Sequence, residues 1–193
     1  MIQANEDNTG WRRALRRELL TRRMALSAAT HSEFSARIVA HLKTHFAPPT
    51  TLGFCWPIKH EPDVRGIVEL WQLAGTRASL PVVIAEDSPL GFREWQADTP
   101  LELDRYGIPT PTQGDWLLPE VILLPLNGFD ASGYRLGYGG GYFDRTLAAL
   151  SPRPLAIGIG FELNRVESIR PEAHDLALDW IVTENGVFSP VAA

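Results

Sequence analysis

Short apolar runs alternate with helix-period segments along most of this chain, and that alternation limits the fold more than any single motif does. "TLGFCW" (51–56), "RASLPVVI" (77–84), "EVILLPL" (120–126), "PLAIGIGF" (154–161) and "LDWIVTE" (178–184) read as buried strands, the last of them closing the chain's set. "LGFREW" (90–95) is a further strand. "VRGIVELWQLAG" (64–75), closed by Gly75, and "YFDRTLAAL" (142–150) read as the helices between them. A helical crossover returns the chain to the same end of a sheet, so the pattern predicts a layered α/β fold with a mostly parallel sheet. In such sheets ligands bind beyond the C-terminal ends of the strands. Residues 98–119, with "DRYGIPTPTQGD", read as a long surface connection rich in turn residues.

Two helices precede the first strand. Residues 11–27 contain Leu, Ala and Arg without Gly or Pro, and residues 1–10 read as a flexible N-terminal extension. At 100° per residue Leu15, Leu19 and Leu26 form one stripe of that helix, and Arg12, Arg16 and Arg23 form a second beside it. A second helix is expected from Thr30, with Glu33 completing a capping box and Phe34, Ile38, Leu42 and Phe46 on its buried side.

The 193 residues suit a single domain. A net charge of −5 argues against a nucleic-acid partner, although six arginines crowd residues 12–23. No apolar run is long enough to cross a bilayer, and the N-terminus lacks the apolar core of a signal peptide, so no membrane partner is expected. The one cysteine, Cys55, excludes an internal disulfide and a cysteine-rich zinc site; a reducing, cytoplasmic location fits.

The densest chemical signal is "GYRLGYGGGYFDR", Gly133 to Arg145, placed between a strand and a helix. Glycines let backbone N–H groups face an anion, and the helix start adds the positive end of its dipole. Arg135 and Arg145 carry guanidinium forks suited to phosphate oxygens, and Asp144 is a hard oxygen donor of the kind Mg²⁺ accepts. The segment is neither a Walker A loop nor a dinucleotide fingerprint, since Tyr142 stands where the third glycine would be. A strand-to-helix turn without ligand is the alternative, and the clustered charges argue against it. Elsewhere, the Arg12/Arg16/Arg23 stripe borders the apolar one and could supply further phosphate charge; a solvated basic face is its alternative. Glu61, in "CWPIKHEPD", could accept hydrogen bonds from an amide- or guanidine-like ligand edge, and Trp56 is either a stacking platform or a core aromatic. Asp175 and Asp179 could be a turn acid and a metal ligand.

"RRALR" (12–16), Glu61 after the first strand, "RLGYGGGYFDR" (135–145) and "HDLALDWIVTE" (174–184), in this order and spacing, closely resemble the 5-formyltetrahydrofolate cyclo-ligase (5,10-methenyltetrahydrofolate synthetase) family, over almost the whole chain from Arg12 to Glu184. The resemblance implies a three-layer α/β/α Rossmann-like sandwich, similar to the NagB/RpiA/CoA transferase folds. It implies ATP- and Mg²⁺-dependent conversion of 5-formyltetrahydrofolate to 5,10-methenyltetrahydrofolate, by phosphorylation of the formyl oxygen and attack of N10. Carried over position by position, Arg12, Arg13, Arg16, Arg135 and the loop Gly137, Tyr138, Gly139, Gly140, Gly141, Asp144 and Arg145 fall on the ATP site. Trp56, Glu61, Tyr106 and Tyr142 fall on the folate side, Asp144 and Asp179 on the Mg²⁺-linked carboxylates, and Arg145 and Tyr142 on the reacting centre. A monomer or weak homodimer is expected. The chain departs from the family at position 12 (Arg for the frequent Lys), at Gly140 (Lys in some members) and in the "PDV" that follows Glu61.

Overall fold

A computed structural model describes residues 2–190, with side chains from Asn8 onward. Helices α1 (Ile2–Met24) and α2 (Ala28–His45) lead into β1 (Thr51–Phe54), α3 (Arg65–Leu73), β2 (Arg77–Val83) and β3 (Leu90–Glu94). A hairpin of β4 (Leu101–Leu103) and β5 (Pro109–Pro111) follows, then β6 (Trp116–Leu117) and β7 (Val121–Pro125). A second small hairpin, β8 (Gly128–Phe129) with β9 (Arg135–Leu136), precedes α4 (Tyr142–Ala149). The chain closes with β10 (Leu155–Ile159), a 3₁₀ turn at Glu162–Asn164, β11 (Trp180–Thr183) and β12 (Gly186–Phe188).

Eight strands form one sheet in the order β12-β11-β10-β7-β1-β2-β3-β6. The five central strands, β11 to β2, pair in parallel, whereas β12, β3 and β6 are antiparallel at the edges. The fold is therefore α/β with a large, mostly parallel central sheet, as the alternation predicts. Successive residues of a strand face opposite sides, and β7 shows it plainly. Leu123 joins Ile38, Leu42, Ile67, Val68 and Trp71 beneath α2 and α3, while Ile122 and Leu124 join Leu147 of α4 on the opposite side. Helix α4 is only eight residues long. The strands narrow where they face its side: Gly53 of β1 lies against the Phe92 ring, and Ala156 and Gly158 occupy the same face of β10.

Helix α1 lies across the C-terminal end of the sheet. Its Leu19 is fully buried with Leu136 of β9 and Ile169, and Leu15 packs beside them. Leu15 and Leu19 of the predicted apolar stripe are thus the docking face, whereas Leu26 lies past the helix end and packs against the core beneath α2 and α3, and the arginine stripe is carried to the mouth of the sheet.

Four local expectations are corrected. Helix α1 extends back to Ile2 and stops at Met24, whereas residues 11–27 are expected as helix. The N-cap of α2 is Ser27, whose hydroxyl accepts the Thr30 N–H at 3.1 Å; Thr30 is three residues inside the helix. Residues 98–119 are not bare connection: they build the β4–β5 hairpin and then β6, which pairs with β3 as the sheet edge. The last strand is β12, not β11.

The cap assignment predicts that Ser27→Ala lowers unfolding free energy in urea by about 1 kcal/mol, with Thr30→Val losing less. Equal losses would place the cap elsewhere.

Candidate active site

The C-terminal ends of β1, β7 and β10 leave a small pocket lined by Cys55, Pro57, Glu61, Pro62, Leu123 and Ile159, among others. Its polar centre is Glu61, 3% exposed. One carboxylate oxygen, Oε1, accepts the Tyr138 hydroxyl at 2.6 Å, and Oε2 accepts the Ile58 N–H at 3.0 Å. The Arg23 guanidinium stands 4.0 Å away. Burial raises the Glu61 pKa above the ordinary value of 4.5, against the opposing pull of Tyr138, Ile58, Arg23 and Lys59. The Cys55 thiol in the wall is pushed up as well, first by burial and then by the Glu61 charge. Loop 57–62 is held in place partly by left-handed backbone at Lys59 and His60, and by a 2.8 Å hydrogen bond between His31 Nε2 and the Glu61 carbonyl.

The glycine loop runs from β9 to α4 along one side of this pocket. Gly139, at φ +103°, lies under the Arg16 guanidinium, and a Cβ there would sit 3.5 Å from its Cζ. Gly141, at φ +64°, is the N-cap of α4 in the left-handed conformation that only glycine adopts without strain. The first N–H groups of α4 have no intrahelical acceptor. Arg16 donates Nε to the Gly137 carbonyl at 2.9 Å, and its terminal nitrogens make no hydrogen bond among the described residues. Burial, followed by the neighbouring Arg12 charge, lowers the Arg16 pKa, and the more distant Asp175 and Glu172 offset this only in part. Arg145 folds back to the Gly140 carbonyl at 2.6 Å, lies 5.0 Å over the Tyr142 ring and approaches Asp87 at 3.6 Å. The loop thus gathers two guanidinium groups beside the start of α4.

The expected site residues divide. Arg16, Arg145 and the glycines come together at one loop. Tyr106 and Tyr142 also meet: the tip of the β4–β5 hairpin reaches α4, with the two hydroxyls 3.0 Å apart and Arg105 donating to the Tyr142 hydroxyl at 2.7 Å. Arg12 is otherwise engaged, in a two-pronged pair with Asp175 at 2.8 and 3.2 Å. Burial of Asp175 works against its charge, but the hydrogen bonds from Arg12 and the Glu172 N–H prevail and its pKa falls below the ordinary value. Arg13 is exposed and takes no part. Arg135 is buried against Asp144 at 3.1 Å, and burial lowers its pKa. Tyr138, expected on the nucleotide side, turns its hydroxyl toward Glu61 instead. Trp56 packs edge-on to Trp95 under the Arg65 guanidinium, beside the pocket wall.

Asp144 and Asp179 are not brought together. Asp144 accepts from Arg135 and from the Leu176 N–H, and Asp179 from Arg153 and from the Ala156 N–H at the N-terminal end of β10. Among the described residues no group of three His, Cys, Asp or Glu could hold a metal ion. These side chains do not fit a protein-held Mg²⁺, because cations and N–H groups already occupy both carboxylates.

Arg23, on the arginine stripe expected to supply phosphate charge, is instead wholly buried and bonded to the Lys59 and Leu126 carbonyls and the Tyr138 hydroxyl, acceptors at three distant positions of the sequence. Sequence reasoning missed Arg105, which is adjacent to Tyr106 and carries no separate signal.

Residues 8–184 match the family model described as the 5-formyltetrahydrofolate cyclo-ligase family. A Mycoplasma pneumoniae protein named 5-formyltetrahydrofolate cyclo-ligase is 30% identical over 177 residues, covering 89% of this chain and 97% of its own length. An Escherichia coli protein of the same name is 30% identical over 179 residues, covering 86% and 97%. Among solved structures, Aquifex aeolicus 5,10-methenyltetrahydrofolate synthetase superposes with a TM-score of 0.80 at 27% identity, over 92% of each chain. The 5,10-methenyltetrahydrofolate synthetase of Mycoplasma pneumoniae gives 0.75 at 27% identity, over 90% of this chain and 98% of that one.

The buried carboxylate has a measurable signature. A folded-state pKa raised above the unfolded 4.5 means that the native state holds its proton longer, so ionisation opposes folding. Relative to Glu61→Gln, which cannot ionise, the wild-type chain loses stability as pH rises from about 4.5 through the raised native value, then levels off. Urea unfolding of both chains across pH 4–8 checks this, and a pH-independent difference would contradict it.

Proposed function

The chain belongs to the 5-formyltetrahydrofolate cyclo-ligase family, and we propose that it cyclises 5-formyltetrahydrofolate to 5,10-methenyltetrahydrofolate at the expense of ATP, releasing ADP and phosphate. The observation that carries this reading is the 2.6 Å hydrogen bond between Tyr138 and Glu61. It joins the anion-binding loop directly to the one buried carboxylate of the pocket, so a phosphoryl donor on one side and a hydrogen-bonding heterocycle on the other would lie in contact.

The chemistry needs that contact. An amide-like formyl oxygen is a poor leaving group. It attacks the γ-phosphorus, the bond to ADP breaks, and the formyl carbon becomes the electrophilic centre of an imidate phosphate. N10 then attacks that carbon, loses its proton, and the C–O bond breaks as phosphate departs with its electron pair. The protein's tasks are to neutralise phosphate charge and to hold three reacting groups in register. Arg16, Arg145 and the N–H groups at the start of α4 serve the first task. Glu61 serves the second by binding the donor edge of the heterocycle, and Tyr142 and Tyr106 close the side toward the β4–β5 hairpin. Arg145 and Tyr142, stacked on each other, flank the transferring group. Arg12 reaches the phosphates only by leaving Asp175. Magnesium enters this reading as the counter-ion of the nucleotide, and no step is routed through it.

Small molecules are the partners, and every group invoked comes from one copy, an arrangement that serves a monomer or a weak homodimer alike. The cytoplasm suits a chain whose one cysteine is free. No described helix is long and apolar enough to cross a membrane.

Mixing the protein with 5-formyltetrahydrofolate and MgATP in mildly acidic buffer should produce the near-ultraviolet band of the methenyl product; no band, with ATP intact, overturns the reading. Arg16→Ala and Arg145→Ala should each lower kcat/KM for ATP by roughly 10- to 100-fold. Glu61→Ala should act on the folate KM instead. Wild-type kinetics in all three would reject the site assignment.

A further inference from the structure

We propose that Arg23 is a positioning residue for Glu61, acting through the Tyr138 hydroxyl, so that substrate meets an oriented carboxylate. The proposal rests on the folate-cyclising reading of the site and adds to it two residues on the substrate side.

The argument begins with hydrogen-bond polarity. Arg23 is wholly inaccessible to solvent. Its Nε donates to the Lys59 carbonyl at 2.9 Å, Nη1 to the Leu126 carbonyl at 3.2 Å and Nη2 to the Tyr138 hydroxyl at 2.8 Å. A guanidinium has only donors. The Tyr138 oxygen must therefore accept from Arg23, which leaves its proton directed at Glu61 Oε1, 2.6 Å away. The phenol cannot rotate to accept from a ligand without abandoning both partners.

Geometry explains why the arginine works at one remove. The two carbonyls fix the guanidinium plane, and its nearest approach to Glu61 is 4.0 Å, outside hydrogen-bond range. A direct fork would occupy both carboxylate oxygens and compete with the substrate. Placed behind Tyr138, the cation lends its field to Glu61 while leaving one lone pair on each oxygen for ligand donors. Other charged or titratable groups around Glu61 are Lys59 of the same loop, whose ammonium lies 4.9 Å over the Tyr138 ring, the Cys55 thiol in the pocket wall, and His31 of α2 on the backbone side. None of these donates to the carboxylate. Burial pushes its pKa up, and Tyr138 is the foremost opposing influence. The Tyr138 phenol is itself raised, first by burial and then by the Glu61 charge, so it remains a proton donor at every working pH.

The experiment uses the full chain with ¹³C-labelled glutamate, wild type against Tyr138→Phe and Arg23→Lys. Two quantities are read: the midpoint of the Glu61 carboxyl titration without ligand, and steady-state kinetics with 5-formyltetrahydrofolate and MgATP. Tyr138→Phe, made at a partly exposed ring, should raise the Glu61 midpoint by about one pH unit. It should raise the folate KM roughly tenfold near neutral pH, and further as pH falls, with kcat within about twofold and the ATP KM unmoved. Arg23→Lys keeps the charge but cannot meet three acceptors in one plane, and should move both quantities in the same direction. If Arg23→Lys does not fold, Tyr138→Phe decides alone. An unchanged Glu61 midpoint and folate KM in Tyr138→Phe, or a loss confined to the ATP KM, overturns the proposal. A wild-type chain that makes no methenyl product, yet shows the shifted midpoint in Tyr138→Phe, leaves the positioning role standing and removes the folate reading. Turnover with an unmoved midpoint does the reverse.

Discussion

A guanidinium shut off from water must find an acceptor for each face of its donor fork, and the position of Arg23 makes that requirement an organising one. Its three acceptors come from the loop after β1, the residue after β7 and the glycine loop before α4. The carrier of the arginine is α1, docked through Leu19 against β9. One side chain thus ties the first helix to the two central strands and to the segment that would meet phosphate. Loss of any one acceptor would leave a buried donor unsatisfied, which typically costs about 1–3 kcal/mol and more for a charged group. The mouth of the sheet is therefore held at a fixed width by an interaction that touches no ligand.

Glu61 shows the opposite economy. A carboxylate at 3% exposure is a poor contributor to folding, since desolvation disfavours its charge and only part of that penalty returns through Tyr138, Ile58 and the more distant Arg23. Its counterpart beside the glycine loop is Arg16, a cation whose burial Asp175 and Glu172 offset only in part. The two halves of the site each keep one charge incompletely matched. A ligand with donors at one end and phosphates at the other supplies both of the missing partners, and binding then relieves what folding left unpaid.

The central sheet was legible because parallel strands buried on both faces read as unbroken apolar runs, and Ile122–Leu124 and Ala156–Ile159 are of that kind. The hairpin at 101–111 was not, because its strands carry Pro109, Pro111 and exposed Glu102 and Leu103, a composition shared with loops. Ser27 and Thr30 illustrate a second limit. Both are capping residues, three apart, and Glu33 completes a convincing box for the wrong one. In the site, the glycines and flanking charges of 137–145 marked the loop that carries the proposed phosphate contacts, because those residues lie in one continuous stretch. What the sequence left hidden was pairing over distance. That Asp144 would be held by Arg135, Asp179 by Arg153, and Tyr138 by Arg23 and Glu61 depends on which strand ends become neighbours. No local pattern records such neighbours.

The edges of the sheet bear on how the chain behaves among its own copies. An open sheet with long, flat edges invites strands from other molecules to extend it. Here one edge is β12, three residues long, and the other is β6, two residues long. Beside β6 the exposed side chains of Arg77, Glu94 and Asp115 form a mixed-charge cluster, and Arg93 covers the Trp116 ring. An approaching strand finds few free backbone groups in register and has to strip water from several ions to reach them. Short edges, with a cluster of ions beside β6, therefore make extension of this sheet by a strand from another copy costly in lost hydration.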